Sequence, residues 1–188
     1  MQTIAYLISG LLFTGFFIVA ISSCDKNGEL KTDENIFTLS SPAIGADSLL
    51  PADYTCDGTS STLPLAWSGV PSGTQSFALI MHHVASPTDI HWYWVLYHIP
   101  PETRSLAKNV SGTWTTGTNS VNDRTEYAPP CSQGPGIKAY TITLYALSQD
   151  PVITLPADSI DRAALLNAIQ DITISSAKMT VYYSRDVK

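Results

Sequence analysis

The chain has 188 residues and a formal net charge of −6, with ten Lys and Arg against sixteen Asp and Glu. A mildly acidic chain without a run of Lys or Arg argues against nucleic acid as a partner. Frequent aromatic residues, with Thr, Ser, Gly and Pro at short intervals, favour a single mostly β domain with a sizeable core.

The N-terminus is typical of an export signal. Residues 1–23 carry no charge, and the apolar run Ile4–Ile21 leads into Ser22-Ser23-Cys24. This pattern resembles a bacterial lipobox, so we expect a signal peptide over 1–23 and a lipoprotein that begins at lipid-modified Cys24. Because the segment lacks basic residues and is nearly long enough to span a bilayer, an uncleaved anchor and plain secretion stay open as alternatives. Each alternative exports the domain, and a lipid anchor would place it on a membrane of the cell envelope.

A polar segment follows the predicted signal. Residues 24–35 are polar and charged and show no hydrophobic period, which is typical of a solvated tether. The folded domain is therefore expected over 36–188.

Short apolar and alternating runs predict the first strands of this domain. Phe37–Ser40 alternates apolar and polar residues, and Leu65–Trp67 is a short apolar run. Two longer runs, Phe77–Met81 and Trp92–Ile99, have the length of strands. The turn-forming residues of Ser86–Asp89 predict a loop between them.

The second half of the domain begins with a long stretch, 102–138, that is rich in Gly, Asn, Thr and Pro. It is predicted to be irregular, and a loop of this length in a compact domain is usually functional. Tyr140–Leu147 then alternates clearly and predicts a central strand, and Lys178–Ser184 predicts the last strand.

One segment between these two strands has a helical pattern. Apolar residues recur at helical spacing over 159–170. Asp158 or Ser159 is expected to cap this helix, and Asp161 is expected in its first turn.

All four histidines lie within the single segment Ser76–Pro101. Titratable side chains at the ends of buried strands are candidates for a binding site. Zinc bound by His82, His83 and His91 is one alternative because neutral imidazoles are ligands that zinc prefers, but their spacing matches no metal motif. We expect His98 to be structural or solvated. The tryptophans expected in the core are Trp67, Trp92 and Trp94.

Eight short motifs occur in a characteristic order within residues 36–187. They are Tyr54–Gly58, Leu63–Trp67, Val70-Pro71, Ser76–Met81, His91-Trp92, Ile99-Pro100, Pro130-Cys131 and Tyr140–Leu147. Their order and spacing resemble the phosphatidylethanolamine-binding protein family, in its bacterial form known as Raf-kinase-inhibitor-like. The resemblance implies a β-sandwich of two antiparallel sheets with a few short helices.

The resemblance also implies a small anion-binding pocket, which in relatives holds phosphate-like groups or phospholipid headgroups. His91 and Tyr140 match the pocket histidine and tyrosine of the family. His83–Pro87 stands where the family has an acidic segment, and Lys138 stands where it has a second histidine. We therefore expect His83, His91, Lys138 and Tyr140 to form a pocket that is more cationic than those of the relatives. No cofactor and no metal are implied.

The expected function is that of an exported, lipid-anchored protein that binds a small anionic ligand or a phospholipid headgroup. Lysine and protonated histidine would give such a ligand charge-assisted hydrogen bonds. One alternative is a protein-interaction or enzyme-inhibitor module whose contact surface is the 102–138 loop, with no partner indicated. A histidine-based enzyme, or one with Cys131 as a nucleophile, is a weaker alternative because the acidic segment that could supply a base is missing.

The remaining cysteines are expected to pair. Once Cys24 is lipidated, Cys56 and Cys131 remain, and export places them in an oxidising compartment. By the resemblance, both lie in motifs that flank the pocket, so we expect a disulfide between them. Two free thiols are the alternative.

Overall fold

A computed structural model describes residues 36–133 and 135–185. The predicted signal peptide over 1–23, the lipidation site Cys24 and the tether over 24–35 lie outside these residues. The strands and the helix of the described part are β1 (Thr38–Ser40), β2 (Leu65–Ser68), β3 (Ser76–Ser86), β4 (Asp89–Ile99), β5 (Ser105–Leu106), β6 (Thr115–Thr116), β7 (Lys138–Leu147), α1 (Arg162–Ile169) and β8 (Thr173–Tyr183). Short 3₁₀ turns cover Ala52–Tyr54 and Ala157–Ser159.

The strands form two antiparallel sheets. The smaller sheet has the order β1-β2-β5, and the larger has the order β6-β4-β3-β7-β8. The prediction of a mostly β fold with two antiparallel sheets is confirmed. Among the described residues, no helix is both long and apolar enough to cross a membrane.

Alternation along the strands gives the larger sheet two buried faces. On one face Phe77, Leu79 and Met81 of β3 pack with Leu65 and Trp67 of β2, which forms the main core between the sheets. On the opposite face lies a second cluster that α1 covers. Its buried members are Ala78, Ile80, Val95, Tyr97, Leu147, Ile160, Leu165 and Ile169. Successive residues of a strand point to opposite faces, so one strand can supply both cores.

The two central strands are longer than their apolar runs predict. β3 continues to Ser86 and β4 begins at Asp89, so the predicted loop over Ser86–Asp89 is reduced to a tight hairpin turn. His83 and His91 are therefore paired strand residues directly opposite each other. Backbone hydrogen bonds to a neighbouring strand stabilise extended chain even where the side chains are polar, which is why hydrophobicity alone gave strands that were too short.

The helix starts later than predicted. Asp161 is its N-cap, with its carboxylate accepting from the Ala164 N–H at 2.7 Å, and Ala157–Ser159 forms a separate 3₁₀ turn. The expected caps Asp158 and Ser159 were therefore wrong. An extended Asp161 whose carboxylate accepts from the N–H three residues later satisfies a free donor of the first turn, which is the usual role of an N-cap residue.

The stretch 102–138 is not entirely irregular. It contains β5 and β6, and Thr118, Asn119 and Ala128 within it are buried. The Asn119 side-chain amide donates to the carbonyl oxygens of Arg124 at 2.9 Å and of Glu126 at 3.3 Å, which closes a compact loop. Part of this stretch therefore packs against the domain, while other parts of it, such as 121–126, are exposed.

Candidate functional site

A cavity of about 390 Å³ opens at the turn end of the β3–β4 hairpin. All four residues predicted to form the pocket line it, so the structure brings His83, His91, Lys138 and Tyr140 together. The other lining residues are Ala85, Tyr93, Ser120, Val121, Pro129, Cys131, Ser132 and Gln133. That these residues bind an anion stays a prediction.

Strand alternation explains why these side chains share one face. His83 lies opposite His91 across the hairpin, while Lys138 and Tyr140 are two positions apart on the neighbouring strand β7. Residues two apart on a strand point the same way. The rings of His83 and Tyr140 accordingly lie with their centroids 5.5 Å apart.

A β-bulge lies at Tyr93, which lines the cavity. Met81 pairs with Trp94 and His82 with Trp92, which leaves Tyr93 as an extra residue in β4. Tyr93 and Trp94 consequently both lie in the main core, and the Tyr93 ring meets Tyr140 edge-on at 5.2 Å between centroids. Bulges are common next to functional sites because they redirect a side chain.

The hydrogen bond at Nδ1 of His83 determines which ring nitrogen a ligand could reach. This nitrogen lies 2.8 Å from the carbonyl oxygen of Ala139. A carbonyl only accepts, so Nδ1 carries the proton and Nε2 is the nitrogen available for other contacts. Nε2 accepts a hydrogen bond when the ring is neutral and donates one when the ring is protonated.

His91 has a carboxylate partner that the sequence analysis did not identify. Its Nε2 lies 3.1 Å from Oδ1 of Asp89, two residues earlier on the same strand. The segment over 83–87 has no acidic residue, and Asp89 lies just beyond it at the same end of the sheet. Asp89 therefore adds a carboxylate beside the site, although it is not among the lining residues.

Burial raises the pKa of the two tyrosines that line the cavity, Tyr93 and Tyr140. It is the main cause that raises the pKa of Tyr140, and the neighbouring Tyr93 raises that pKa further. Burial likewise raises the pKa of Tyr93. Both phenols therefore stay protonated at neutral pH and are potential hydroxyl donors.

One side of the cavity is formed by Pro129–Gln133, which we call the pocket wall. Cys131 in this wall forms a disulfide with Cys56, so the predicted pairing is present in the structure. The Oγ of Ser132 is buried and has no hydrogen-bond partner within 36–133 and 135–185. A buried hydroxyl without a partner is unusual in a folded protein.

The other two histidines lie away from the cavity. His82 is on the opposite face of β3, where burial and the nearby charges of Arg162 and Lys178 lower its pKa. It therefore cannot join His83 and His91 around one zinc ion, and no cluster of three or more potential metal ligands occurs in the described part of the chain. His98 contacts Asp150 at 2.7 Å, consistent with the expected structural role.

Of the three tryptophans expected in the core, Trp67 and Trp94 are buried in it. Trp92 is only partly buried and packs against the helix-side cluster.

Comparison with known proteins identifies the family. The family model described as phosphatidylethanolamine-binding protein matches residues 40–184. The chain belongs to this family. Among phosphatidylethanolamine-binding proteins it is 32% identical over 141 residues to a UPF0098 protein of Methanothermobacter thermautotrophicus, covering 72% of this chain and 91% of that protein. A UPF0098 protein of Aquifex aeolicus is 35% identical over 119 residues, covering 58% of this chain and 67% of the relative.

Solved structures of family members have the same fold. A phosphatidylethanolamine-binding protein homologue from Chlamydia trachomatis superposes with a TM-score of 0.73 at 25% identity, over 81% of this chain and 99% of that one. The Escherichia coli protein YbcL has a TM-score of 0.69 at 23% identity, over 80% and 99% of the two chains. The second similarity supports the fold alone.

Several residues around this family pocket were missed by sequence reasoning. Asp89 and Tyr93 flank His91 at two residues on either side, so strand alternation from His91 would have identified both. Ser120, Ser132 and Gln133 lie in connecting segments, for which no period exists. Only the tertiary fold could place them in the cavity.

Proposed function

We propose that this protein binds a small ligand with a phosphate or carboxylate group in the cavity at the turn end of the β3–β4 hairpin. The observation that carries the proposal is the convergence of Lys138, His83 and His91 on one cavity of about 390 Å³. Membership of a family described as phosphatidylethanolamine-binding supports the same ligand chemistry.

The local geometry suits an oxyanion. Lys138 supplies a permanent cation, and Nε2 of His83 becomes a donor once its ring is protonated, because Nδ1 is already held by Ala139. Tyr93 and Tyr140, whose hydroxyls are neutral, also line the cavity. Charge-assisted hydrogen bonds are the strongest of these contacts, so Lys138 should contribute most.

The cavity is larger than a phosphate ion needs. Lining residues such as Ala85, Val121 and Pro129 offer apolar contacts to an organic group attached to the anion. Ligand sites of this kind are mostly apolar, with a few polar groups that orient the ligand. The ligand is therefore a phosphorylated or carboxylated small molecule, free or as the headgroup of a lipid.

Calorimetric titration of the domain over 36–188 with inorganic phosphate and with phosphoethanolamine tests the proposal. Lys138→Met should weaken binding by about 1.5–3 kcal/mol, the usual value of a hydrogen bond to a charged group. Lys178→Met is a matched control, because Lys178 lies on β8 of the same sheet but is not among the residues that line the cavity. Binding should also weaken with rising salt and with rising pH through the histidine range.

Two results would contradict the proposal. One is the absence of binding at millimolar ligand, and the other is equal affinity for the wild type and Lys138→Met. Either result would favour the protein-interaction alternative. Vesicles with and without a phosphoethanolamine headgroup distinguish a lipid ligand from a free small molecule. If the ligand is a lipid headgroup, the protein should sediment with the vesicles that contain it, and if the ligand is a free metabolite, the protein should not.

The export of the domain and its anchoring at Cys24 are part of this proposal. They are supported by the apolar run Ile4–Ile21 that ends in Ser22-Ser23-Cys24. Two or three acyl chains on one residue would give stable anchoring, whereas a single chain is marginal. Mass spectrometry of the membrane fraction should find a lipid-modified peptide beginning at Cys24. A mature protein that retains the peptide 1–21 would contradict cleavage.

A further inference from the structure

We propose that the Cys56–Cys131 disulfide is a redox modification site that controls the ligand pocket. In the oxidised state the bond holds the pocket wall, Pro129–Gln133, against the cavity, and reduction by a dithiol releases the wall and weakens ligand binding. This inference rests on the proposed function and adds the regulation of that site.

The disulfide is part of the cavity lining. Cys131 lines the cavity directly, and Pro129, Ser132 and Gln133 on either side of it do the same. The partner cysteine, Cys56, belongs to a different segment, 75 positions earlier in the sequence. The bond therefore links the wall to a segment that is distant from it in the sequence.

Hydrogen bonds hold the chain at Pro130 and in the two residues that precede the wall. The Ala128 N–H donates to the Tyr93 carbonyl at 2.8 Å, and the Cys56 N–H donates to the Pro130 carbonyl at 3.1 Å. The Tyr127 hydroxyl donates to the carbonyl of Tyr54 at 2.8 Å. These three bonds all lie at or before Pro130.

The part of the wall beyond Pro130 has fewer attachments. Among the described residues, Cys131, Ser132 and Gln133 make no backbone hydrogen bond to the rest of the chain. The Gln133 side-chain amide donates to the Cys131 carbonyl within the same segment, at 3.3 Å. The disulfide is therefore the strongest link that keeps this part of the wall in place, and its loss should affect the cavity first.

The bond is accessible to a reductant. Cys56 and Cys131 are only partly buried, while Asp57 beside Cys56 is exposed. A thiolate of a dithiol attacks one sulfur, forms a mixed disulfide and displaces the other sulfur. The second thiol of the reductant then releases the protein, so the reductant becomes a disulfide while Cys56 and Cys131 gain two electrons and two protons.

One charged side chain indicates which sulfur departs. Arg185 Nη1 donates to Cys131 Sγ at 3.6 Å, while its Nη2 pairs with Asp57 Oδ1 at 2.7 Å. A guanidinium beside a departing thiolate stabilises it, and a better leaving group departs faster. Attack should therefore fall on Cys56, with Cys131 as the leaving group.

The test uses the oxidised protein, the protein reduced with dithiothreitol and the double variant Cys56→Ser/Cys131→Ser. The reduced protein and the double variant should each bind phosphoethanolamine about tenfold more weakly than the oxidised protein. Without the disulfide, the wall must become ordered when the ligand binds, and this ordering costs free energy. Amide exchange at Cys56 and Ala128 in dithiothreitol should become about tenfold faster, because their hydrogen bonds involve the wall and its neighbouring residues. Reoxidation should restore both values.

The outcomes separate this inference from the proposed function. Unchanged exchange at Cys56 and Ala128, or faster exchange with unchanged affinity, overturns the redox inference alone. Loss of the near-ultraviolet dichroism of the whole domain on reduction also overturns it, because the bond would then hold the entire fold. Absence of ligand binding in the oxidised protein overturns both.

The role of Arg185 gives a second measurement that does not depend on a ligand. Arg185→Gln should slow reduction of the disulfide by dithiothreitol about threefold, through loss of the charge beside the leaving sulfur. Arg124→Gln is the control, since Arg124 is an exposed arginine that pairs with Glu126 at 3.9 Å. Equal reduction rates for the two variants would contradict the assignment of Cys131 as the preferred leaving group.

Discussion

The two ends of the β3–β4 hairpin contain the same pair of groups. At the turn end, His91 lies 3.1 Å from the carboxylate of Asp89. At the far end, His98 lies 2.7 Å from the carboxylate of Asp150. Residue type and distance alone would therefore not distinguish a binding site from a structural contact.

The surroundings of the two pairs differ. At the far end, the second carboxylate oxygen of Asp150 accepts a 2.8 Å hydrogen bond from the buried hydroxyl of Ser76. His98 occupies a bulge with a φ of 58°, so the pair holds an irregular piece of backbone. At the turn end, His91 lines an open cavity together with Lys138. A histidine–carboxylate pair is thus a candidate binding group only where a cavity gives a ligand access to it.

The largest expected difference between the two ends of the hairpin is in the stability that their contacts contribute. Removing the disulfide with Cys56→Ser/Cys131→Ser should lower the free energy of unfolding by about 4 kcal/mol in the chain-entropy model, given the separation of 75 residues. Ser76→Ala at the far end should cost about 1 kcal/mol, the net value of a typical hydrogen bond. Urea unfolding of both variants measures the difference. Equal losses would mean that the disulfide adds no constraint beyond its local contacts.

Ligand binding should distinguish the two histidines. His91→Asn should weaken phosphoethanolamine binding by about 1.5–3 kcal/mol through the loss of a charge-assisted hydrogen bond. His98→Asn should leave binding unchanged, and asparagine tolerates the positive φ at that position better than most residues. Calorimetry of the wild type and both variants under the same conditions checks this contrast. A similar loss in both variants would show that the cavity is not the binding site.

The far-end pair should contribute to stability and not to binding. Asp150→Asn removes the carboxylate that contacts His98 and weakens the acceptor of Ser76, so we expect a loss of about 1 kcal/mol in unfolding free energy, kept small by solvent exposure. Chemical denaturation gives the stability, and the titration used for His91→Asn gives the affinity. A change in ligand affinity in Asp150→Asn would show that the far end of the hairpin influences the cavity at the turn end.

The smallest expected effect is a pH dependence from His82, which lies on the opposite face of the hairpin. Burial is the main cause of its lowered pKa, so the folded protein resists protonating it more than the unfolded chain does. The contribution of His82 to stability is therefore complete above an unfolded pKa of about 6.5 and is lost as the pH falls from there through the lowered folded value. His82→Gln should flatten the decrease in unfolding free energy between pH 8 and pH 5. An unchanged slope would assign the decrease to other groups.

Local sequence patterns predicted much of the fold. Alternation over Tyr140–Leu147 correctly indicated a central strand, and the apolar run from Phe77 correctly indicated the middle of β3. The same patterns ended β3 too early, because pairing with β4 stabilises its polar end. This stabilisation comes from a neighbouring strand, so it is not visible in the sequence of β3 alone.

The candidate site was only partly predictable for a related reason. The motifs that carry the family resemblance contain His91 and Tyr140, and alignment with the family indicated Lys138 and His83. Tyr93 lies two residues from His91 and follows from the same alternation, whereas Ser132 and Gln133 lie outside the strands and reach the cavity only through the tertiary fold.

The sequence by itself determined the kinds of element and the chemical groups available, because side-chain polarity and period are properties of a single segment. It also determined the family, through short motifs in a fixed order. The tertiary structure alone decided which groups meet. His83 is held by a carbonyl 56 positions away, and the pocket wall is fixed by a cysteine 75 positions away. Contacts between such distant segments depend on strand order and register, which no local pattern specifies.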